Sequence, residues 1–329
     1  MSIKKELEGQ SGILKMVRNQ YMPSTKDMAE LAYARYLKKR GSELTKEFIY
    51  ENTDDVLKEL FQAETDIFNE KQQKIISSVI PYYYNEIYKK NDKRFPNTSK
   101  SMDMLADLYV KVQSNACSQE DFIARINETI GPMLDIASFS QRQSAKSRVG
   151  NTLQNHLERM FEICSIPNEV QQCQEEGETI MDFVIPNLEA CTTMPDHVIN
   201  IECQTTLKDR FRLTTGKTTD ARVNRYLATM TGLGIVTSGD KKDLTIGKLK
   251  EIIVKNNVTL IVHKDVKNQS ITKIDNALKK LRKKANKEVE INELQQLRRL
   301  CQNKLISYTE LFNRDIKSLQ TYLEYNKNC

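Results

Sequence analysis

Apolar positions along the chain change period part-way. Through residues 1–105 they recur at helical spacing. Met28, Leu31, Ala32 and Tyr36 follow Ser24, a candidate N-cap, and precede Gly41. The same spacing predicts a second helix from Thr53 through Val56, Leu57, Leu60, Phe61 and Ile67. A third covers Lys74 to Tyr88 and carries the run Tyr82-Tyr83-Tyr84. Tyrosines at this spacing suit either core packing or base stacking. Lys89–Lys100 is polar, contains Pro96 and reads as a linker. A short helix from Met102 follows, and Ser118–Asp121 is a capping signal for another. A long helix from Ser140 to Cys164 places Leu153, Leu157, Met160, Phe161 and Cys164 on one stripe.

Beyond that helix the period shortens to two. Val170–Gln174, a Gly-containing turn at 175–178 and an apolar run from Thr179 predict a hairpin. In Val198–Gln204, residues Ile199, Ile201 and Cys203 point one way and Asn200, Glu202 and Gln204 the other. A helix from Leu213 to Asn224 then leads to a strand at Arg225–Met230. Thr245–Asn256 reads as helix and Val258–Val262 as strand, so this half is α/β. The tail from Lys264 to Cys329 reads as helical, and Ser307 and Glu310 frame a capping box before its last amphipathic helix. Two domains are expected: an N-terminal helical domain at 1–105 and an α/β domain at 106–329, with 264–329 as its tail.

Charge adds one feature to this outline. The formal net charge of the 329-residue chain is +6, yet Lys264–Lys287 alone carries nine basic and two acidic residues. Such a run suits a solvated face or a phosphate-contacting surface. Seven cysteines with no CxxC pair read as reduced thiols, no run approaches a membrane span, and a cytoplasmic protein is expected.

The candidate chemistry lies between Thr179 and Arg212. Asp182 sits inside the run Ile180, Phe183, Val184, Ile185, and burying a lone carboxylate is costly unless it is paired or holds a metal. Two adjacent strands would bring Asp182 and Glu202 together at a sheet edge, an arrangement a divalent cation makes tolerable. The basic stretch Thr205–Arg212 follows. Together these suit metal-assisted phosphodiester cleavage; they equally suit a strand with one solvated face and a basic loop.

The motifs D-x-x-I-P at Asp182–Pro186 and T-T-x-K-D-R-aromatic-R at Thr205–Arg212 resemble the EcoRII and PspGI type II restriction endonucleases of the PD-(D/E)xK superfamily. Ser147–Phe161, with Arg148, is similar to their S-R-A-G-x-x-L-E helix. The resemblance spans residues 140–265. It implies a mixed sheet flanked by helices, a homodimer acting on double-stranded DNA, and Mg²⁺ held by Asp182, Glu202 and the Cys203 carbonyl. Lys208, Asp209 and Arg210 would read adjacent G·C pairs, with Arg212 and Arg148 as further DNA contacts.

The sequence departs from that pattern in four places. Relatives carry lysine where Gln204 stands, a non-acidic residue where Glu202 stands, an acid where Lys217 stands and glutamate where Gln154 stands. Glu202 restores the usual superfamily acid, Glu158 lies one turn beyond Gln154, and Lys217 would supply the missing cation. The catalytic set implied is Asp182, Glu202, Gln204, Lys217 and Glu158. A structure-specific repair nuclease and a catalytically inactive DNA-binding protein are the alternatives.

Overall fold

The computed structural model describes residues 3–9, 12–172, 181–205, 207, 222–235, 244–284 and 286–327. The chain divides into two compact units, Met1–Met28 with Asp66–Arg148, and Ala29–Thr65 with Val149–Cys329. The division is therefore not one cut near residue 105, which lies inside the helix Pro96–Gln113. Residues 29–65 belong with the sheet because their apolar face packs there. Tyr50, Leu57 and Phe61 share a core with Phe183 and Ile201. Pro96, read as a linker residue, instead opens a helix, where its missing N–H leaves nothing unsatisfied.

Two long helices replace expected pairs. Lys46–Tyr82 is kinked at Asn52, next to the expected start at Thr53, but continues through the polar stretch Asn69–Lys74, and Gln119–Ile163 runs through Pro132. Neither interruption carries a cap, and a polar face alone does not end a helix. The helix Thr25–Arg40 starts as expected, with Ser24 Oγ accepting the Asp27 N–H at 3.1 Å.

In the first unit, helices bury Leu7, Leu14, Val79 and the fully buried Tyr83 in one core. Glu6 is buried beside the start of Pro96–Gln113 and accepts from the backbone and side chains of Asn97 and Thr98. Burial alone would raise its pKa; the Thr98 and Asn97 hydrogen bonds outweigh it and hold the carboxyl below its ordinary value.

The second unit is built on a six-stranded sheet in the order β1-β2-β3-β4-β5-β6. The strands are β1 Glu169–Gln172, β2 Met181–Ile185, β3 Ile199–Cys203, β4 Asn224–Ala228, β5 Thr259–Val262 and β6 Leu305–Ser307. β1, β2 and β3 pair antiparallel, while β3 to β6 run parallel. Alternation sends Phe183, Ile201, Ile261 and Ile306 to one face, under helical residues of 29–65, 149–164 and the C-terminal segment. Leu227, Leu260, Val262 and Leu305 face the other layer, beneath Ile246–Leu249, Lys264–Leu281 and Glu288–Lys304. β6 corrects the all-helical reading of the tail. At three residues it is too short for alternation to show, and it is a strand because it pairs with β5. No helix among the described residues is long and apolar enough to cross a membrane. The five cysteines among them are free thiols.

Where β5 and β6 end, one carboxylate serves two helix starts. Asp54 is fully buried; its Oδ1 accepts the Lys264 N–H and its Oδ2 the Thr309 N–H, each at 2.9 Å. The expected capping box between Ser307 and Glu310 is formed beside it. Asp54→Ala strands two buried donors, and we expect a loss of about 2–4 kcal/mol in denaturant unfolding. Asp54→Asn, which keeps one acceptor oxygen, should lose less.

Candidate active site

The register of β2 against β3 brings the two acids together. Phe183 pairs with Ile201 and Val184 with Asn200, so Asp182 stands opposite Glu202. Both are half-buried and share the face of Asn200. Cys203 N donates to Asp182 Oδ2 at 2.7 Å, while Oδ1 is not engaged by that bond. Burial raises the Asp182 pKa, and the Cys203 N–H partly offsets it. The Cys203 thiol is buried on the opposite face. Desolvation pushes its pKa well up, and the nearby charges of Asp182 and Glu202 push it further.

Gln204 is tied into this pair. Its backbone N–H continues the parallel ladder to the Ala228 carbonyl at 2.8 Å, and its side-chain Nε2 donates to Glu202 Oε1 at 2.8 Å. The residue at the strand-lysine position therefore holds the second acid directly. An amide so placed orients the carboxylate without adding charge.

Sequence reasoning missed Arg225. The parallel register sets it beside Asn200, and it lines one recess with Asn200, Glu202, Met181 and Leu227. Burial lowers its pKa and the charge of Glu202 opposes that shift. Asn200 is buried, and its Oδ1 has no hydrogen-bond partner among the described residues. Nothing in the run Asn224–Ala228 marks Arg225 as a site residue; only the β3–β4 pairing does so.

The other candidates fall differently. Glu158 is half-buried on Gln119–Ile163. Among the described residues no group of three or more acidic, histidine or cysteine side chains is placed to hold a metal ion, so Glu158 is not brought in as a third member. Gln154 is buried on the same helix. The Arg148 side chain and the whole of Lys208, Asp209, Arg210, Arg212 and Lys217 lie outside the described residues. In the basic tail, Lys264 pairs with Asp55 and Lys267 with Glu310. Lys279, Lys280, Lys283 and Lys284 are exposed and unpaired among the described residues.

Residues 112–281 match the family model described as EcoRII C terminal. The chain belongs to the EcoRII C-terminal family. The resemblance carried by the sequence motifs is thereby shown at the level of the family, and the expected restriction-endonuclease-like fold stands. No curated protein is matched by the sequence. Solved restriction endonucleases share its fold. Metal-depleted Ecl18kI in complex with uncleaved, modified DNA superposes with a TM-score of 0.63 at 13% identity, over 95% of this chain and 85% of that one. The same enzyme with uncleaved DNA gives 0.58 at 14% identity, over 99% and 95%. The complex of restriction endonuclease PspGI with substrate DNA gives 0.54 at 13% identity, over 92% and 95%.

Asp182 is held against its own burial energetics, which sets a pH test in chelator. A raised folded-state pKa means that the ionised carboxylate costs stability, fully above the folded pKa and not at all below the unfolded one. Asp182→Asn, whose amide oxygen can still accept the Cys203 N–H, should therefore melt at or above the wild-type temperature at neutral pH. The gain should close as pH falls through the folded pKa towards the unfolded value. Calorimetry from neutral to acid pH measures it, and a variant less stable at every pH contradicts it.

Proposed function

We propose that the chain is a homodimeric, Mg²⁺-dependent type II restriction endonuclease that cuts double-stranded DNA at a short palindromic site containing CC/GG. The observation that carries this reading is the pair Asp182 and Glu202, opposed across β2 and β3, with Gln204 on Glu202. The donor set suits Mg²⁺, which takes hard oxygens and commonly binds through one or two carboxylates while keeping its waters. Asp182, Glu202 and the Cys203 carbonyl would hold it. When bound, the ion activates water and offsets the charge developing on the scissile phosphate.

The chain's own residues have separate tasks in this scheme. Asp182 supplies a carboxylate whose burial makes a positive neighbour favourable. Gln204 keeps Glu202 facing the same point. Arg225, in the recess beside Glu202, contributes positive charge on the β4 side. Lys208, Asp209 and Arg210 read adjacent G·C pairs: Arg and Lys donate to guanine O6 and N7, and Asp accepts from cytosine N4. Arg148, Arg212 and the exposed lysines 279, 280, 283 and 284 meet phosphates. The DNA complexes of Ecl18kI and PspGI support DNA as the partner. A palindromic site calls for two active sites related by a two-fold axis. Five free thiols among the described residues support a cytoplasmic setting.

A second reading is a DNA-binding protein with a silent nuclease site. Gln204 and Gln154, at positions where relatives carry charge, favour it. Plasmid DNA with and without Mg²⁺ separates the readings. Discrete fragments mean restriction, a smear means a structure-specific or nonspecific nuclease, and intact but retarded DNA means a binder.

Asp182→Ala or Glu202→Ala should abolish cleavage and largely spare DNA binding in Ca²⁺; normal cleavage by either variant removes the assignment. Lys217→Ala should slow cleavage at least about a hundredfold, roughly 2.7 kcal/mol, with little loss of affinity. Gln204→Lys in that background should recover part of the loss. A Lys217→Ala enzyme cutting at the normal rate returns that lysine to solvent.

A further inference from the structure

Leu207 stands immediately before Lys208-Asp209-Arg210 in the sequence and belongs to no helix or strand. Its side chain is fully buried in the layer that also holds Leu227, Leu249 and Val262. Both of its backbone polar groups are taken by side chains from elsewhere in the chain. Its N–H donates to Thr231 Oγ1 at 2.7 Å, and its carbonyl accepts from Lys248 Nζ at 2.5 Å. A residue outside regular structure, held at side chain, amide and carbonyl together, has one place to be.

The two groups that hold it are themselves fixed. Thr231 N donates to Thr229 Oγ1 at 3.1 Å, and the two hydroxyl oxygens lie 3.0 Å apart. The Thr229 proton is directed at Thr231 Oγ1, with the Thr205 carbonyl a longer alternative at 3.4 Å. Thr229 N donates to the Ile261 carbonyl at 2.9 Å, which ties this ladder to β5. Thr205, Thr229 and Thr231 are all buried. The next residue, Gly232, turns at φ +100°, and a Cβ there would meet Val266 Cγ1 at 2.9 Å, so the turn lies tight against Lys264–Leu281. Lys248 sits in the first turn of Ile246–Leu249, where its N–H donates to Thr245 Oγ1 at 3.2 Å.

Buried backbone groups outside regular structure need partners, and Thr231 Oγ1 and Lys248 Nζ satisfy both of those of Leu207. Drawn from two separate segments of the chain, these partners do more than satisfy them. What they add is position. Base-reading groups work only when held to about 0.5 Å of their productive geometry. We propose that Thr231 and Lys248 are positioning residues for base recognition: they fix Leu207, and with it the point at which the chain enters the Lys208-Asp209-Arg210 triplet. This inference rests on the reading of that triplet given above. It also links recognition to the acids, since Gln204 leaves β3 beside Ala228 and Thr205 lies under the same hydroxyl ladder.

The test is binding without metal, in chelator, so that cleavage plays no part. The probes are duplexes with CC and GG half-sites separated by no, one or two base pairs, and duplexes with neither. Wild-type protein should prefer one half-site duplex. Thr231→Val and Lys248→Met should each lose at least about tenfold of that preference while affinity for the duplex lacking half-sites stays within about twofold. Thr231→Ser, which keeps the acceptor, should restore discrimination, and it carries the test if the valine variant does not fold. Hydrogen exchange at the Leu207 amide should quicken in Thr231→Val. Wild-type discrimination by Thr231→Val and Lys248→Met overturns the proposal. So does equal loss on both kinds of duplex, or a serine variant no better than valine. A wild-type protein without any preference overturns the triplet reading itself, and the positioning role falls with it.

Discussion

Strand β3 is paired on both sides, antiparallel to β2 and parallel to β4, and the candidate site depends on that double pairing. One register sets Asp182 against Glu202. The other sets Arg225 beside Asn200 and carries Gln204 onto the Ala228 carbonyl. A one-residue slip of β3 would turn Asn200 and Glu202 into the aromatic core and bring Ile201 and Cys203 to the charged face. The apolar residues of the two layers and the polar constellation therefore enforce the same alignment. Packing of Ile199, Ile201 and Phe183 thus helps to hold the two carboxylates opposite each other.

The helices around the sheet are anchored at the ends where the parallel strands finish. Asp54 joins the starts of the segments after β5 and β6, and the threonine ladder joins the ends of β3 and β4. These polar anchors lie in buried surroundings, where each satisfied bond is worth more and each missing partner costs more. Open sheets with parallel strands present their ligand-facing groups at this end. A rigid rim there lets exposed groups be placed from backbone that does not yield.

How much of this was legible in the sequence follows from the range of each interaction. Alternation in β3, the hairpin of β1 and β2, and the capping signals at Ser24 and Ser307 are local, and they put Asp182 and Glu202 on strands and mark the helix starts that follow those two serines. The family resemblance reached the same fold through short motifs. Pairing between distant strands was not legible, so Arg225, the three-residue β6 and the two side chains on Leu207 had no signal. The compact units were hidden for a similar reason. Residues 29–65 read as part of a helical half, and only their packing on Phe183 and Ile201 assigns them to the sheet. Pro96 and Pro132 show that proline marks a boundary only in context: one opens a helix and the other lies within one.

The hydrogen bond from Gln204 to Glu202 has a bearing on how the strand pair responds to alkali. A lysine at that position would surrender its proton at high pH and release the carboxylate it steers. The glutamine amide has no such proton to lose, so its hold on Glu202 is the same in neutral and alkaline solution. In acid, the buried carboxyl of Asp182 accepts a proton more readily than an exposed one. Alkali therefore leaves the amide contact untouched, while acid acts on the carboxyls that the two strands bring together.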